Sequence, residues 1–327
     1  MTPLKVYVTR MIPDEGLARL RERCEVSVNP EDRPLTRAEL LTRSAGMDGV
    51  LGLLTDRIDA GFFDAVPGLK GYANYAVGYD NIDLPEATRR GIPVSNTPDV
   101  LTQATAELAW TLLLAVARRV VESDRVMRSG TWPGWGPLQF IGADVSGKTL
   151  GIVGPGRIGQ AMARMSKGFG MRVVYWGGRQ PSRVLEDEMG AERLSFAELL
   201  SQSDFISVHL PLNPETRHLF NADTLRMMKP TAFLINTARG PVIDEADLVE
   251  ALNKRIIAGA GLDVYEAEPK MAPGLDTCPN AVLLPHVGSG THSSRTGMAL
   301  LAAENLLAML EGRTPPTCLN PEVLSKK

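Results

Sequence analysis

Residues 154–159, Gly-Pro-Gly-Arg-Ile-Gly, restrict the fold of this chain more than any other stretch. They match the spacing GxGxxG between a strand-like run, KTLGIVG from Lys148, and a helix-like run, GRIGQAMARMSKGFG. That strand–turn–helix context is what separates a dinucleotide fingerprint from a chance match. Gly154 permits the tight turn, Gly156 lets backbone approach a pyrophosphate, and Gly159 lets the helix pack closely on the strand. The helix N-terminus that follows favours phosphate charge. The alternative is a glycine-rich turn without ligand, and the context weighs against it.

The rest of the chain carries the same rhythm. KVYVTR, EVSVN, DGVLGLLTD and IPVSNT read as short strands separated by polar helices. A second series (KTLGIVG, MRVVYW, DFISVHL, AFLINTA, AGAGLDVY, AVLLPH) begins at Lys148. Alternation of this kind predicts parallel α/β sheets. The 327 residues are enough for about two domains, and 44% hydrophobic with 22% charged residues excludes disorder and coiled coil. The expected architecture is two doubly wound parallel-sheet domains. A Rossmann-type coenzyme domain (101–289) is inserted in a flavodoxin-like substrate domain (1–100 and 290–327). One long helix is expected from Thr102 to Gly130, then an irregular arm, TWPGWGPLQF, and a last helix from Ser293 before a proline-rich tail.

Charge and cysteine usage narrow the partners. Thirty-five Lys and Arg against 38 Asp and Glu leave a net charge of −3, with no basic excess for nucleic acid. Cys24, Cys278 and Cys318 are far apart and in no metal-ligand spacing, so they read as reduced thiols of a cytoplasmic protein. No signal peptide is evident. The apolar stretch Leu108 to Ala117 is far short of the ~18 residues a membrane span needs, and reads as a buried helix.

The end of the second strand of the coenzyme unit addresses the adenosine ribose. An Asp or Glu there accepts the 2′-hydroxyl of NAD. Here Arg172 to Trp176 is followed by Gly177, Gly178, Arg179, Gln180, Pro181, Ser182 and Arg183, with no carboxylate before Glu186. Arg179 and Arg183 stand where an acid would, and a guanidinium suits a 2′-phosphate. NADP(H) is therefore expected over NAD(H); arginines on a solvated loop remain the alternative.

Three later segments carry chemistry at strand ends: Asn236-Thr237-Ala238-Arg239-Gly240, Asp263 to Pro269 (DVYEAEP), and Pro285-His286-Val287-Gly288. In an open parallel sheet, ligands bind at the carboxyl ends of strands. Taken singly, Arg239, Glu268 and His286 are weak signals, since a lone Arg or Glu is usually surface and a lone His usually structural. Behind a dinucleotide fingerprint they become a set. Arg239 offers a bidentate fork for a carboxylate, His286 a proton donor of the type that titrates near neutrality, and Glu268 a negative charge to orient the imidazole and favour its protonated form.

Through these stretches, together with GYDNIDL and NTPDVLTQATAELA, the chain resembles the D-isomer-specific 2-hydroxyacid dehydrogenases along nearly its whole length. It is most similar to the glyoxylate/hydroxypyruvate reductases, whose arm and post-strand loop are like SGTWPGW and GGRQPSR. The resemblance implies reduction of a small 2-keto acid, glyoxylate or hydroxypyruvate, by hydride transfer from NADPH, and a homodimer. It implies catalysis by Arg239, Glu268 and His286, and a substrate site completed by Leu53 and the Val77-Gly78 amides. It implies cofactor contacts from Thr102, Gly154, Pro155, Gly156, Arg157, Ile158, Gly159, Gly178, Arg179, Arg183, Leu210, Pro211, Thr237, Ala238, Asp263 and Gly288. Asp263 would accept from the nicotinamide carboxamide. His209 is expected to be structural, and His218 and His292 surface or packing residues. The arm with Trp132 and Trp135 is expected in dimer contacts. D-lactate and 3-phosphoglycerate dehydrogenases are the enzymatic alternatives, and a cofactor-sensing corepressor the non-enzymatic one.

Overall fold

Every ladder between the strands is parallel, so each sheet needs helices on both faces, and the chain is divided accordingly. The computed structural model describes residues 3–178 and 180–326. It separates into two units, Met1–Leu101 with Gly290–Lys327, and Thr102–Ser289.

The first unit holds β1 (Leu4–Val8), β2 (Cys24–Val28), β3 (Gly49–Gly52), β4 (Gly71–Asn74) and β5 (Val94–Ser95). Their order, β2-β1-β3-β4-β5, is that of flavodoxin-like sheets. β3 and β4 are buried along their whole length. The C-terminal helix, His292–Leu310, returns to cover this sheet. Its contact with the first helix, Asp14–Arg21, depends on Gly16, where a Cβ would fall 2.7 Å from Ala299 Cβ and 2.8 Å from the Ala299 carbonyl oxygen. Asn320 ties the tail to the sheet by accepting the Val94 N–H at 2.9 Å and donating to the Ile92 carbonyl at 2.9 Å.

The second unit holds β6 (Thr149–Val153), β7 (Arg172–Trp176), β8 (Glu192–Arg193), β9 (Phe205–Val208), β10 (Phe233–Asn236), β11 (Gly259–Leu262) and β12 (Ala281–Leu283). Their order is β12-β11-β10-β9-β6-β7-β8. Counted from β6 this is the 3-2-1-4-5-6 order of dinucleotide-binding sheets with one strand added. The chain reverses direction across the sheet between β6 and β9, which puts the glycine turn after β6 at the switch point. Helix Thr102–Ala117 lies against this sheet. Its Trp110 donates to the Met162 carbonyl at 2.9 Å and stacks on Phe169 at 4.9 Å, bracing the helix that follows the glycine turn.

One expectation fails. The helix does not run unbroken from Thr102 to Gly130: it stops at Ala117, and a second helix spans Val120–Ser129. Arg119 adopts a left-handed backbone, φ 53°. The Ala117 carbonyl instead accepts the Ala143 N–H at 2.8 Å, and Gly142 passes so close that a Cβ would lie 2.3 Å from that oxygen. A distant segment therefore takes a helical acceptor, which local propensity could not reveal.

Gly16→Ala should destabilise the first unit, although Gly-to-Ala changes inside helices usually stabilise. The new methyl meets backbone, which cannot swing aside, and overpacking of this kind costs about 1–3 kcal/mol. Urea unfolding with an unchanged slope and a lower midpoint is the expected result.

Candidate active site

The glycine turn is built as close approach requires. Gly154 has φ 101°, and a Cβ there would lie 2.6 Å from the His209 carbonyl oxygen and 3.1 Å from Leu210. The loop after β9, carrying Leu210 and Pro211, thus lies against the turn. At Gly159 a Cβ would collide with the Gly154 carbonyl at 2.3 Å. Gly156 faces open space and caps helix Arg157–Met165 with no side-chain hydrogen bond, so the first-turn N–H groups are available to an anion. Gln160 donates to the Pro155 carbonyl at 2.9 Å and fixes the turn from inside. Arg157 is exposed and Ile158 half-buried. Further along, Thr237 is buried with a hydroxyl that finds no protein partner, at the carboxyl end of β10. These features fit a dinucleotide.

The loop after β7 is exposed at Gly178, and Arg183 is the exposed first residue of helix Arg183–Met189. Arg179 lies outside the described residues. The sequence reading missed Arg193 on β8, which donates to the Gly178 carbonyl at 2.9 Å and holds the loop. Tyr175 also braces it, accepting the Ser182 N–H at 3.0 Å and donating to Glu186. Glu186, the nearest downstream carboxylate, is thereby turned to the tyrosine.

Arg239, Glu268 and His286 come together at the carboxyl ends of β10, β11 and β12. His286 Nδ1 lies 2.9 Å and 3.1 Å from the two Glu268 oxygens. Partial burial works against the Glu268 carboxylate, but the His286 hydrogen bond and charge, the Tyr265 N–H at 3.1 Å and the nearby Arg239 hold its pKa below the usual carboxylate value. Arg239 Nη1 donates to the Ala238 carbonyl at 2.8 Å. Gly240, next in the chain, packs on the loop that carries Glu268: a Cβ there would sit 1.9 Å from the Tyr265 carbonyl carbon.

His286 itself has φ 55°, an uncommon conformation for a non-glycine residue. It is sustained by Asp263, 1% exposed, whose two oxygens accept the Val287 and Gly288 N–H groups at 2.8 Å and 2.7 Å. Burial raises the Asp263 pKa, and those two donors work against the rise. Both oxygens of this carboxylate are therefore engaged in holding the histidine turn, a role its sequence position did not disclose. Gly288 also lies close to Thr105, one turn into the helix that Thr102 opens.

The remaining histidines differ in kind. Desolvation pushes His209 down to about 3, and its ring pairs with Ser207 at 2.9 Å, which makes it a neutral structural residue. His218 is more than packing: Nε2 meets Glu266 and Nδ1 lies 3.5 Å from Asp244. Among the described residues, no group of three or more His, Cys, Asp and Glu is arranged to hold a metal ion. No helix among them is long and apolar enough to cross a membrane.

In the first unit, the Val77 carbonyl accepts from Asn96 at 2.8 Å and the Gly78 carbonyl from Asn74 at 2.9 Å. In a trans peptide the N–H points opposite the carbonyl, so these two bonds orient the Gly78 and Tyr79 N–H groups, while the Val77 N–H is oriented by the Ala76 carbonyl, which accepts the Thr97 N–H at 2.9 Å. Leu53 follows β3, and its N–H donates at 2.8 Å to Asp56, a carboxylate only 4% exposed that also accepts from Thr9. The sequence reading had no signal for Asp56.

Residues 110–288 match the model of the D-isomer specific 2-hydroxyacid dehydrogenase NAD binding domain. A glyoxylate reductase of Thermococcus kodakarensis is 53% identical over 98% of this chain and 97% of its own length. Among solved structures, a glyoxylate reductase from Paecilomyes thermophila superposes with a TM-score of 0.88 at 34% identity, covering 98% of this chain and all of that one. An NADPH-dependent glyoxylate/hydroxypyruvate reductase from Sinorhizobium meliloti, in complex with NADP and malonate, gives 0.85 at 33% identity over 97% of both chains. This chain belongs to the D-isomer-specific 2-hydroxyacid dehydrogenases, oxidoreductases with a nicotinamide-dinucleotide domain. Within that family its sequence is glyoxylate reductase-like.

Proposed function

We propose that the protein reduces glyoxylate, and hydroxypyruvate, to the D-2-hydroxy acid with NADPH. The observation that carries the reading is the His286–Glu268 pair beside Arg239 at the carboxyl edge of a dinucleotide-binding sheet. The turn 154–159, Thr102, Leu210, Pro211, Thr237, Ala238, Asp263 and Gly288 are the residues that would hold the dinucleotide, which supplies a hydride to the substrate carbonyl carbon when bound. Arg239 binds the substrate carboxylate as a two-pronged donor, and Leu53 and the Val77-Gly78 amides are the substrate contacts proposed for the first unit. His286 gives the proton. Its Nδ1 is engaged by Glu268, so Nε2 is the nitrogen that donates to the carbonyl oxygen as charge develops there. Glu268 fixes the ring through its two oxygens at Nδ1.

NADPH is favoured because the loop after β7 presents Arg183, with Arg179 in sequence, and no carboxylate to repel a 2′-phosphate. The relative from Sinorhizobium meliloti is NADPH-dependent. Exposed apolar side chains cluster in the arm, with Trp135 82%, Leu138 83% and Ile141 61% exposed beside Trp132. Such a run is costly in water, and a second copy of the chain would cover it. The free thiols suit the cytoplasm.

His286→Ala should keep cofactor affinity and lose about 10²–10⁴-fold in kcat with glyoxylate, read by steady-state kinetics and a binding titration. Glu268→Gln should lose less, because the carboxamide still offers one oxygen to Nδ1 but no charge. Unaltered kcat in the first variant, or a loss in the second as large as in the first, contradicts the assignment. Arg183→Ala should weaken NADPH by about ten- to a hundred-fold and leave NADH nearly unchanged. Equal weakening of both would mean surface charge only. Sedimentation equilibrium should give a dimer, and Trp135→Glu should shift it toward monomer.

A further inference from the structure

Glu245 is the first residue of helix Glu245–Asn253 and is 3% exposed. A carboxylate at a helix start usually caps its own first turn, but Asp244 already does so, accepting the Asp247 N–H at 3.1 Å. Glu245 points elsewhere. One oxygen accepts the Glu266 N–H, and the other accepts the Ala272 N–H at 2.7 Å. Those donors lie on either side of Glu268. The link is returned, since the Glu245 N–H donates to Glu266 Oε2 at 3.1 Å, and Glu266 Oε1 meets His218. Residues 267–271 are exposed, so little apolar packing holds Glu268 from behind. Gly240 supports the near end of the loop, and the far end is pinned by the Glu245 bond to Ala272.

We propose that Glu245 is a positioning residue for Glu268: its carboxylate staples the loop on both sides, so that Glu268 stays within hydrogen-bond distance of His286 Nδ1. The inference rests on the reading of His286 and Glu268 given above. A carboxamide cannot replace the carboxylate, because it has one acceptor oxygen for two N–H donors and would turn its own NH₂ toward the second. Burial and the neighbouring Glu266 and Glu268 charges raise the Glu245 pKa, while the two backbone donors oppose the rise. A buried carboxylate in that setting persists because both oxygens are matched.

The test is a double-mutant cycle in the intact enzyme. Glu245→Gln should lower kcat with glyoxylate about ten-fold and leave the NADPH dissociation constant unchanged. It should also move the His286 ring nitrogen resonances in the direction that Glu268→Gln moves them. In the Glu268→Gln background the further loss from Glu245→Gln should vanish, because the residue acts through Glu268. Additive losses, or wild-type kcat and resonances in a folded Glu245→Gln, overturn the proposal. If circular dichroism shows that Glu245→Gln does not fold, Glu245→Asp, which keeps the charge but withdraws both oxygens from the loop by one methylene, carries the same cycle with the same two outcomes. Glu268→Gln alone reports on the underlying reading, so a failure there is separated from a failure of the staple.

Discussion

Buried carboxylates that accept backbone N–H groups are the interaction on which the geometry of this site depends. Asp263 holds the turn carrying His286, and Glu245 brackets the loop carrying Glu268. A hydrogen bond to a charged acceptor contributes about 1.5–3 kcal/mol, and a buried carboxylate left unmatched would cost more than that. Each anion is therefore tolerable only while its loop is in place, and each loop keeps its shape because the anion is there. The left-handed backbone of His286 fits this account, since such a conformation persists only when its surroundings over-determine it.

Glycines set the distances that the carboxylates then lock. Gly154 and Gly159 let three backbone segments meet behind β6, and Gly240 lets the arginine loop lie directly on the glutamate loop. No side chain could occupy these contacts. The parallel order of the sheet makes such contacts productive, because it delivers the ends of β10, β11 and β12 to one edge in adjacent register. The same order places the glycine turn and the loops carrying Arg239, Glu268 and His286 on one sheet.

The loop after β7 works by a different physics. Arg183 there is exposed, and the attraction of such a guanidinium for a phosphate is screened by salt over roughly 10 Å at 0.1 M ionic strength. Under the proposed NADPH preference, discrimination there owes as much to the missing carboxylate as to any contact made. Arg193 and Tyr175 shape the loop from beneath rather than offering charge at random.

Much of this was legible in the amino-acid order. The parallel α/β class followed from strand–helix alternation, and the dinucleotide turn from three glycines in a fixed frame, because both are local patterns with local causes. Arg239, Glu268 and His286 could be singled out because each follows a readable strand. Other features had no local sign. The break at Ala117 is made by residues 142–143, the close packing of Gly16 by Ala299, and the clamps on the site loops by Glu245 and Asp263, some 20 residues or more from what they hold. Glu245 in sequence is one acid among several at a helix start, and Asp56 one polar residue in a turn. Local composition decides which elements form, but a carboxylate's partner is whichever N–H the packed sheet brings within 3 Å, and only the tertiary structure makes that choice.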